Sequence, residues 1–361
     1  MHQKLSQPIT RRMGLSIIAS VVLGGALAAC GSSSGDSGDT TTADPGLEGD
    51  ARWKETIAAA EREGVVVFYS SAPQTAIDRL QKAFKDKYPK IDMQPTRVTG
   101  LELATALENE RHSGGSGADI ALHDMVPFQY DNLANFTPPT GPNPQRAEFK
   151  REGITLKGVS QMHNIVPFGL AYNTSLVHTP PTDFTALADP SFAGQVGLFD
   201  FASPGSADLY GFLVQHYGGE DFLRRVAAGK PQFYPSVAPT LQALTSGEIA
   251  ITDYASSVAV QDLVDQGAPV KFVPTKPQWA IQFYTYIVGW AKHPNAAQVL
   301  YDFMATPAGQ QAINKDAISV LPNIPGTVGQ IGDVQTMNVE NAINANTVNA
   351  ANARWRAIFG R

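Results

Sequence analysis

Hydrophobic positions in this chain fall into short blocks whose period alternates between helix-like and strand-like. "DARWKETIAAAEREG" sets Trp53, Ile57 and Ala60 on one stripe with Gly64 as a stop, which predicts a helix. "VVVFYSS" from Val65 is almost wholly apolar, the pattern of a strand buried on both faces of a parallel sheet. "AIDRLQKAFKDKYP" spaces Ile77, Leu80, Phe84 and Tyr88 as a helix does and ends at Pro89. "KIDMQPTRVTG" predicts the next strand, "LELATALENERHSG" a helix and "ADIALHD" a third strand. Strand and helix in alternation predict an α/β lobe around a parallel sheet.

The same grammar returns further on. "NIVPFGLAYNTSLV" is strand-like and runs into a turn, and "GQVGLFDFASPGSADLYGFLVQHYGG" reads strand, loop, helix. "TLQALTSGEIAITDYASS" reads helix, strand, loop, and "APVKFVP" is a further strand. "FYTYIVGWAKHP" is an extended aromatic stretch. "NAAQVLYDFMATPAGQQAINK" is helical apart from a break at Pro307, and the segment from Asn338 to Ala353 is expected to be helical despite its asparagines. No tandem repeat is present. Two α/β lobes in one chain is the reading.

The N-terminus breaks this pattern. Lys4, Arg11 and Arg12 precede an uncharged stretch from Met13 to Ala29, interrupted by Gly24 and Gly25 and short for a membrane span. Residues 31–50 are rich in Ser, Gly, Asp and Thr and read as linker. The only cysteine, Cys30, stands at the junction, so no disulfide forms within the chain. Leu27-Ala28-Ala29-Cys30 resembles a bacterial lipobox. That resemblance implies a signal peptide over 1–29, lipid on Cys30 and a tether over 30–50, anchoring the protein to a cell-envelope membrane. Thr10-Arg11-Arg12 also resembles a twin-arginine signal, so both export routes stay open.

Loss of residues 1–29 removes three basic residues and no acidic ones, which moves the formal charge from −6 to −9. Without clustered Lys and Arg there is no footprint for nucleic acid. A hydrophobic content of 43% suits a sizeable core, and no second apolar run is long enough to span a bilayer. Catalytic signatures are missing too. Gly31-Ser32-Ser33-Ser34-Gly35 matches GxSxG, but it lies in the linker without the strand and helix that motif needs. His112, His123, His163 and His216 have no metal-ligand spacing. The expectation is a protein that is not an enzyme and carries no cofactor.

Three strand-to-helix loops carry small polar groups where an open parallel sheet binds ligands. Ser70 and Ser71 follow the first strand; Ser203, Gly205 and Ser206 follow "GLFDFA"; Tyr254, Ser256 and Ser257 follow "IAITD". These serines either hold a ligand or simply cap their helices.

From Val65 to about Lys315 the chain resembles the extracytoplasmic solute-binding proteins of ABC importers. The branch in question contains ferric-iron, thiamine, polyamine-like and aminophosphonate binders. The stretches carrying the resemblance include "VVVFYSS", "GADIALHD", "LAYNTSLV", "TDFTALADPSFAGQVGLFDFASPGS", "LTSGEIAITDY" and "AKHPNAAQVLYDFMATPAGQQ". It implies a type II-like, two-lobed periplasmic-binding-protein fold with two crossing hinge strands that closes on its ligand. The crossings are then expected near residues 168–175 and 280–290, with Tyr172, Asn173 and Tyr284 at the hinge. Lobe one is 51–168 with 285–361, and lobe two is 169–284.

The implied partners are a small-molecule ligand and an ABC permease, and the protein is expected to be a monomer. Its ligand set is Ser70, Ser71, Ser203, Gly205, Ser206, Ser236, Tyr254 and Trp279, with no metal. Iron-binding members commonly use adjacent tyrosines where this chain has Tyr254-Ala255, and a His or Tyr in the first loop, here Ser70-Ser71-Ala72-Pro73. The expected cargo is therefore a small organic solute with an anionic group, such as an aminophosphonate, with ferric iron as the alternative. Trp279, Phe283 and Tyr284 either cover part of the solute or pack the hinge, packing being the stronger reading for Phe283 than for Trp279. A sensor or a hydrolase on the same fold is the remaining alternative.

Overall fold

The computed structural model describes residues 50–98, 100–115 and 117–361. The expected signal peptide, Cys30 and the tether up to residue 49 lie outside the described residues. Asp50 caps helix α1 (Ala51–Glu63) by accepting from the Arg52 N–H at 2.9 Å, and Gly64 ends it at φ 72°. That left-handed turn is why a glycine stands there. Strand β1 (Val65–Ser70) follows, then α2 (Gln74–Lys87), β2 (Asp92–Arg97), α3 (Gly100–Ser113), β3 (Ile120–His123) and α4 (Val126–Asn132). Two short strands, β4 (Phe136–Thr137) and β5 (Thr155–Leu156), lead to β6 (Ser160–Asn173), which is buried along its whole length.

The next run is β7 (Val196–Phe199), α5 (Pro204–His216), α6 (Gly219–Ala228), β8 (Gln232–Tyr234) and α7 (Val237–Ser246). It continues with β9 (Ile251–Ser256), α8 (Ser257–Asp265), β10 (Val270–Phe272) and β11 (Gln278–Val288). The chain then forms α9 (Pro294–Met304), α10 (Pro307–Asn314), β12 (Val334–Thr336), α11 (Val339–Ala342) and α12 (Ala345–Phe359). The expected break at Pro307 is real: Thr306 caps α10, accepting from the Gly309 N–H at 3.1 Å.

The strands run in the order β2-β1-β3-β11-β6-β9-β7-β8. β1 is parallel to β2 and β3, and β7 is parallel to β8 and β9, as the apolar runs predict. Between these two parallel groups lie β11 and β6, antiparallel to each other. β6 changes partner partway along: residues 160–167 pair with β11, and Phe168 onward pairs with β9. Gly169 sits at the change with φ 153°, and a Cβ there would stand 2.7 Å from the Phe184 ring. Only glycine fits that close approach. β6 therefore joins the two α/β halves, consistent with a two-lobed binding-protein fold.

Three expectations need adjusting here. β11 stays beside β3 and the first half of β6, so the return crossing precedes it, in residues 273–277 between β10 and β11. Tyr284 is thereby placed within a lobe; it is fully buried and its hydroxyl donates to the Gly153 carbonyl at 2.8 Å. Tyr172 and Asn173 lie past the change of partner, within pairing to β9 and β10, and Asn173 Nδ2 donates to the Leu244 carbonyl at 2.8 Å. Lastly, 285–361 does not return to lobe one as a block, because α12 packs on α5 and α6. Trp355 Nε1 donates to the Ala207 carbonyl at 3.2 Å, and Arg354 pairs with Glu220 at 2.5 Å. The cause is the face of α12 that carries Asn352, Trp355 and Phe359, spaced to lie along α5.

Candidate functional site

The carboxyl ends of β1, β2 and β3 meet in one interlocked corner. Ser70, the last residue of β1, is fully buried and its hydroxyl accepts from the Ala72 N–H at 3.1 Å, so it shapes the turn. Ser71 instead donates its hydroxyl to Asp124 Oδ1 at 3.1 Å. Arg97, the last residue of β2, donates its Nε to the Ala72 carbonyl at 3.0 Å. The terminal nitrogens of Arg97 have no acidic partner among the described residues. Asp124 lies past β3, and burial raises its carboxyl above the usual range against the lowering effect of the Ser71 bond.

The other half contributes Tyr254 at the end of β9. Its ring stacks on Phe199 with centroids 3.7 Å apart and planes within 2°, and it meets Phe168 at 5.1 Å. No hydrogen bond to its hydroxyl is present among the described residues. Burial first, then the carboxylates of Asp124 and Asp253, push the phenol well above its ordinary value. Tyr254 is thus neutral at physiological pH and close to Asp124 of the opposite half.

A cavity of about 770 Å³ opens beside this corner, floored by Val166 and Phe168 of β6 and Phe283 of β11. One wall carries Ser71, Pro73 and Arg97; the other is the facing sides of α7 and α8, with Leu241 and Leu263 among its side chains. Ser256 also lines it, while its hydroxyl accepts from the Ala259 N–H at 3.4 Å to cap α8.

Of the expected ligand set only Ser71 lines this cavity; Ser70 and Tyr254 lie outside the lining, and the structure separates the others from it further. Ser203 and Ser206 form a reciprocal capping box at the start of α5, and Ser206 is fully buried with its hydroxyl on Asn352 Oδ1 at 3.1 Å. Asn352 Nδ2 donates in turn to the Ser203 carbonyl at 3.1 Å, so α12 covers this helix start. Gly205 lies between them, against the Phe199 ring. Ser236 precedes α7 and is exposed, outside the lining. Trp279 is fully buried and donates its Nε1 to Asp208 Oδ2 at 2.7 Å, a core position, whereas Phe283 is the aromatic that lines the cavity.

Arg97, Asp124 and the α7–α8 wall were missed in the sequence, although Arg97 and Asp124 both stand at carboxyl ends of expected strands. That position, more than a run of serines, was the usable signal. Among the described residues no group of three or more His, Cys, Asp and Glu is arranged to hold a metal ion.

A two-lobed α/β architecture with a cavity at its strand ends defines a solute-binding class of fold. Residues 146–316 match the family model described as bacterial extracellular solute-binding protein. The resemblance drawn from the sequence is thereby shown, and the family lies outside the cytoplasm. No helix among the described residues is long and apolar enough to cross a membrane.

Among solved structures, the chain is similar to a substrate-binding protein of an ABC transporter from Agrobacterium tumefaciens, at 14% identity and TM-score 0.67. That match covers 84% of this chain and 97% of the other. Iron-bound HitA from Pseudomonas aeruginosa matches at 16% identity and TM-score 0.62, covering 81% and 99%. AfuA from Actinobacillus pleuropneumoniae, with fructose-6-phosphate bound, matches at 18% and 0.61, covering 82% and 99%. At these identities the likeness is one of fold. No curated protein matches the sequence significantly.

Proposed function

We propose that this chain is the substrate-binding component of an ABC importer that holds a small organic anion between its lobes and presents it to a membrane permease. The observation that carries this reading is the 770 Å³ cavity, to which both halves and both central strands contribute. An anionic group is favoured because Arg97 brings to the cavity wall a guanidinium that has no acidic partner among the described residues. Against ferric iron stands the donor set: Asp262 is the carboxylate in the cavity lining, Tyr254 is a neutral phenol outside it, and among the described residues no three His, Cys, Asp or Glu side chains are grouped to hold a metal.

In this reading β6 and residues 273–277 are the two crossings. Lobe one is residues 51–168 with β11 to α10, and α12 rides on lobe two. The anchor is Cys30, lipidated after removal of 1–29, with residues up to 50 as tether. The direct test is mass spectrometry of small molecules released by denaturing freshly purified protein. A single organic anion at near one per chain is the expected result. Iron at one per chain with no organic species would overturn it.

A further inference from the structure

We propose that the ligand is an organic acid with an apolar body, an aryl- or branched alkyl-carboxylate, rather than a sugar phosphate or an aminophosphonate. This deepens the reading of a captured organic anion and rests on it. The lining of the cavity is mostly carbon: Phe168 and Phe283 at the floor, Pro73 on one side, Val237, Leu241 and Leu263 on the other. Gln242, Thr245, Ser246 and Gln266 also line it, but most of the wall area is carbon, so a polyol or a short polar phosphonate would leave more of its polar groups facing carbon than an apolar acid does, which opposes its binding. An aromatic or branched body would instead trade water for contact on every side.

Charge is confined to two places. Asp262 lines the cavity, but its Oδ2 already accepts the Thr75 hydroxyl at 2.8 Å. Arg97 is held in place through its Nε by the Ala72 carbonyl at 3.0 Å, which leaves its terminal nitrogens directed by a fixed stem. Ser71 stands on the same wall. Carboxylate at Arg97 and apolar body toward α7 and α8 is the orientation this arrangement selects, since a guanidinium pairs a carboxylate through two parallel bonds. The volume accommodates a body of drug-like size.

Calorimetric titration of the purified full chain tests this with 4-phenylbutyrate as probe, beside 4-phenylbutanamide, fructose 6-phosphate and 2-aminoethylphosphonate. The carboxylate is expected to bind with a negative heat-capacity change, and the neutral amide about tenfold or more weaker. Arg97→Gln should cost about tenfold in affinity through the charge, and Leu263→Gln about tenfold through the wall. Arg97 is exposed and Leu263 half-buried, and an unfolding midpoint within a few degrees of the parent's shows that each variant keeps the fold. Binding of fructose 6-phosphate or 2-aminoethylphosphonate with 4-phenylbutyrate silent overturns the inference and leaves solute capture standing. Carboxylate binding indifferent to both substitutions also overturns it, as does silence of every probe. In that last case the released-ligand measurement separately decides the broader reading.

Discussion

The Thr75 hydroxyl at the start of α2 donates a 2.8 Å hydrogen bond to Asp262 Oδ2 on α8, joining lobe one to lobe two beside the cavity. A second tie runs from the Ser257 hydroxyl to the Asp316 carbonyl at 2.8 Å. In the proposed closing of the lobes on a ligand, both bonds favour the closed form. Thr75→Val keeps the side chain's shape and removes the donor. A hydrogen bond to a half-buried carboxylate is worth about 1 kcal/mol, so ligand dissociation should quicken about fivefold. Small-angle scattering of the ligand-free variant should show a larger radius of gyration than the parent. Equal radii and equal dissociation rates would remove Thr75 from the closing mechanism.

Trp279 separates a core role from a binding role. Its indole N–H meets Asp208 Oδ2 at 2.7 Å, and Asp208 Oδ1 accepts the Asn338 N–H at 3.0 Å, linking β11, α5 and the segment after β12. Burial raises the Asp208 carboxyl, and the bonds from Trp279 and Asn338 pull it back down. Trp279→Phe should lower stability by about 1–3 kcal/mol, since it leaves a buried acceptor short of one donor. Ligand affinity should stay within twofold of the parent. Urea unfolding beside a binding titration distinguishes the two, and a loss of affinity at unchanged stability would return Trp279 to the ligand.

The alternating pattern was enough to place β1, α2, β7 and β9, because each is a local run whose period records its own burial. It could not choose between Trp279 and Phe283. Both lie at the same parity in one strand, and which is covered depends on Asp208, 71 residues away. The serine loops failed for a related reason. A serine that caps a helix and a serine that holds a ligand occupy the same position, and only α12 decides that Ser203 and Ser206 are enclosed. The cavity wall on α7 was illegible because Leu241 repeats with Leu244 as any core stripe does, and although buried it also borders the cavity.

Ser206→Ala follows from that enclosure. The Ser206 hydroxyl donates to the Ser203 carbonyl at 2.9 Å and bonds Asn352 on α12 at 3.1 Å. Its removal should cost about 1–2 kcal/mol and raise hydrogen exchange along α12, with affinity unchanged. An affinity loss of tenfold or more would mean that α12 moves aside and the start of α5 does meet the ligand.

In the proposed reading, membrane attachment rests on Cys30. Cys30→Ser should leave the protein in the soluble fraction or unprocessed with residues 1–29 still present, whereas the parent partitions into detergent. Mass spectrometry of the parent's N-terminus supplies the second readout. An unmodified thiol on the membrane-bound protein would refute the anchor.

Asp253 makes stability depend on pH in an unusual direction for a carboxylate. It is fully buried beside Tyr254 and near the Tyr210 hydroxyl; Oδ1 accepts the Phe199 N–H at 3.0 Å, while Oδ2 makes no well-formed hydrogen bond among the described residues. Burial pushes its pKa up to about 7, opposed by the Phe199 N–H and then by the Tyr210 hydroxyl. In the unfolded chain the group titrates near the ordinary Asp value of about 4. Between these values the native state holds a proton that the unfolded state has released, so stability falls as pH rises from about 4 to 7 and then levels. The neutral carboxyl stabilises fully at the acid end of that window and loses this contribution through the folded-state value. Asp253→Asn keeps the acceptor for Phe199 and cannot ionise. The variant should therefore unfold at a higher temperature than the parent at pH 8, with the gap closing toward pH 5. Thermal unfolding at half-unit pH steps measures it, and parallel pH curves for the two proteins would show that Asp253 is charged in the folded state.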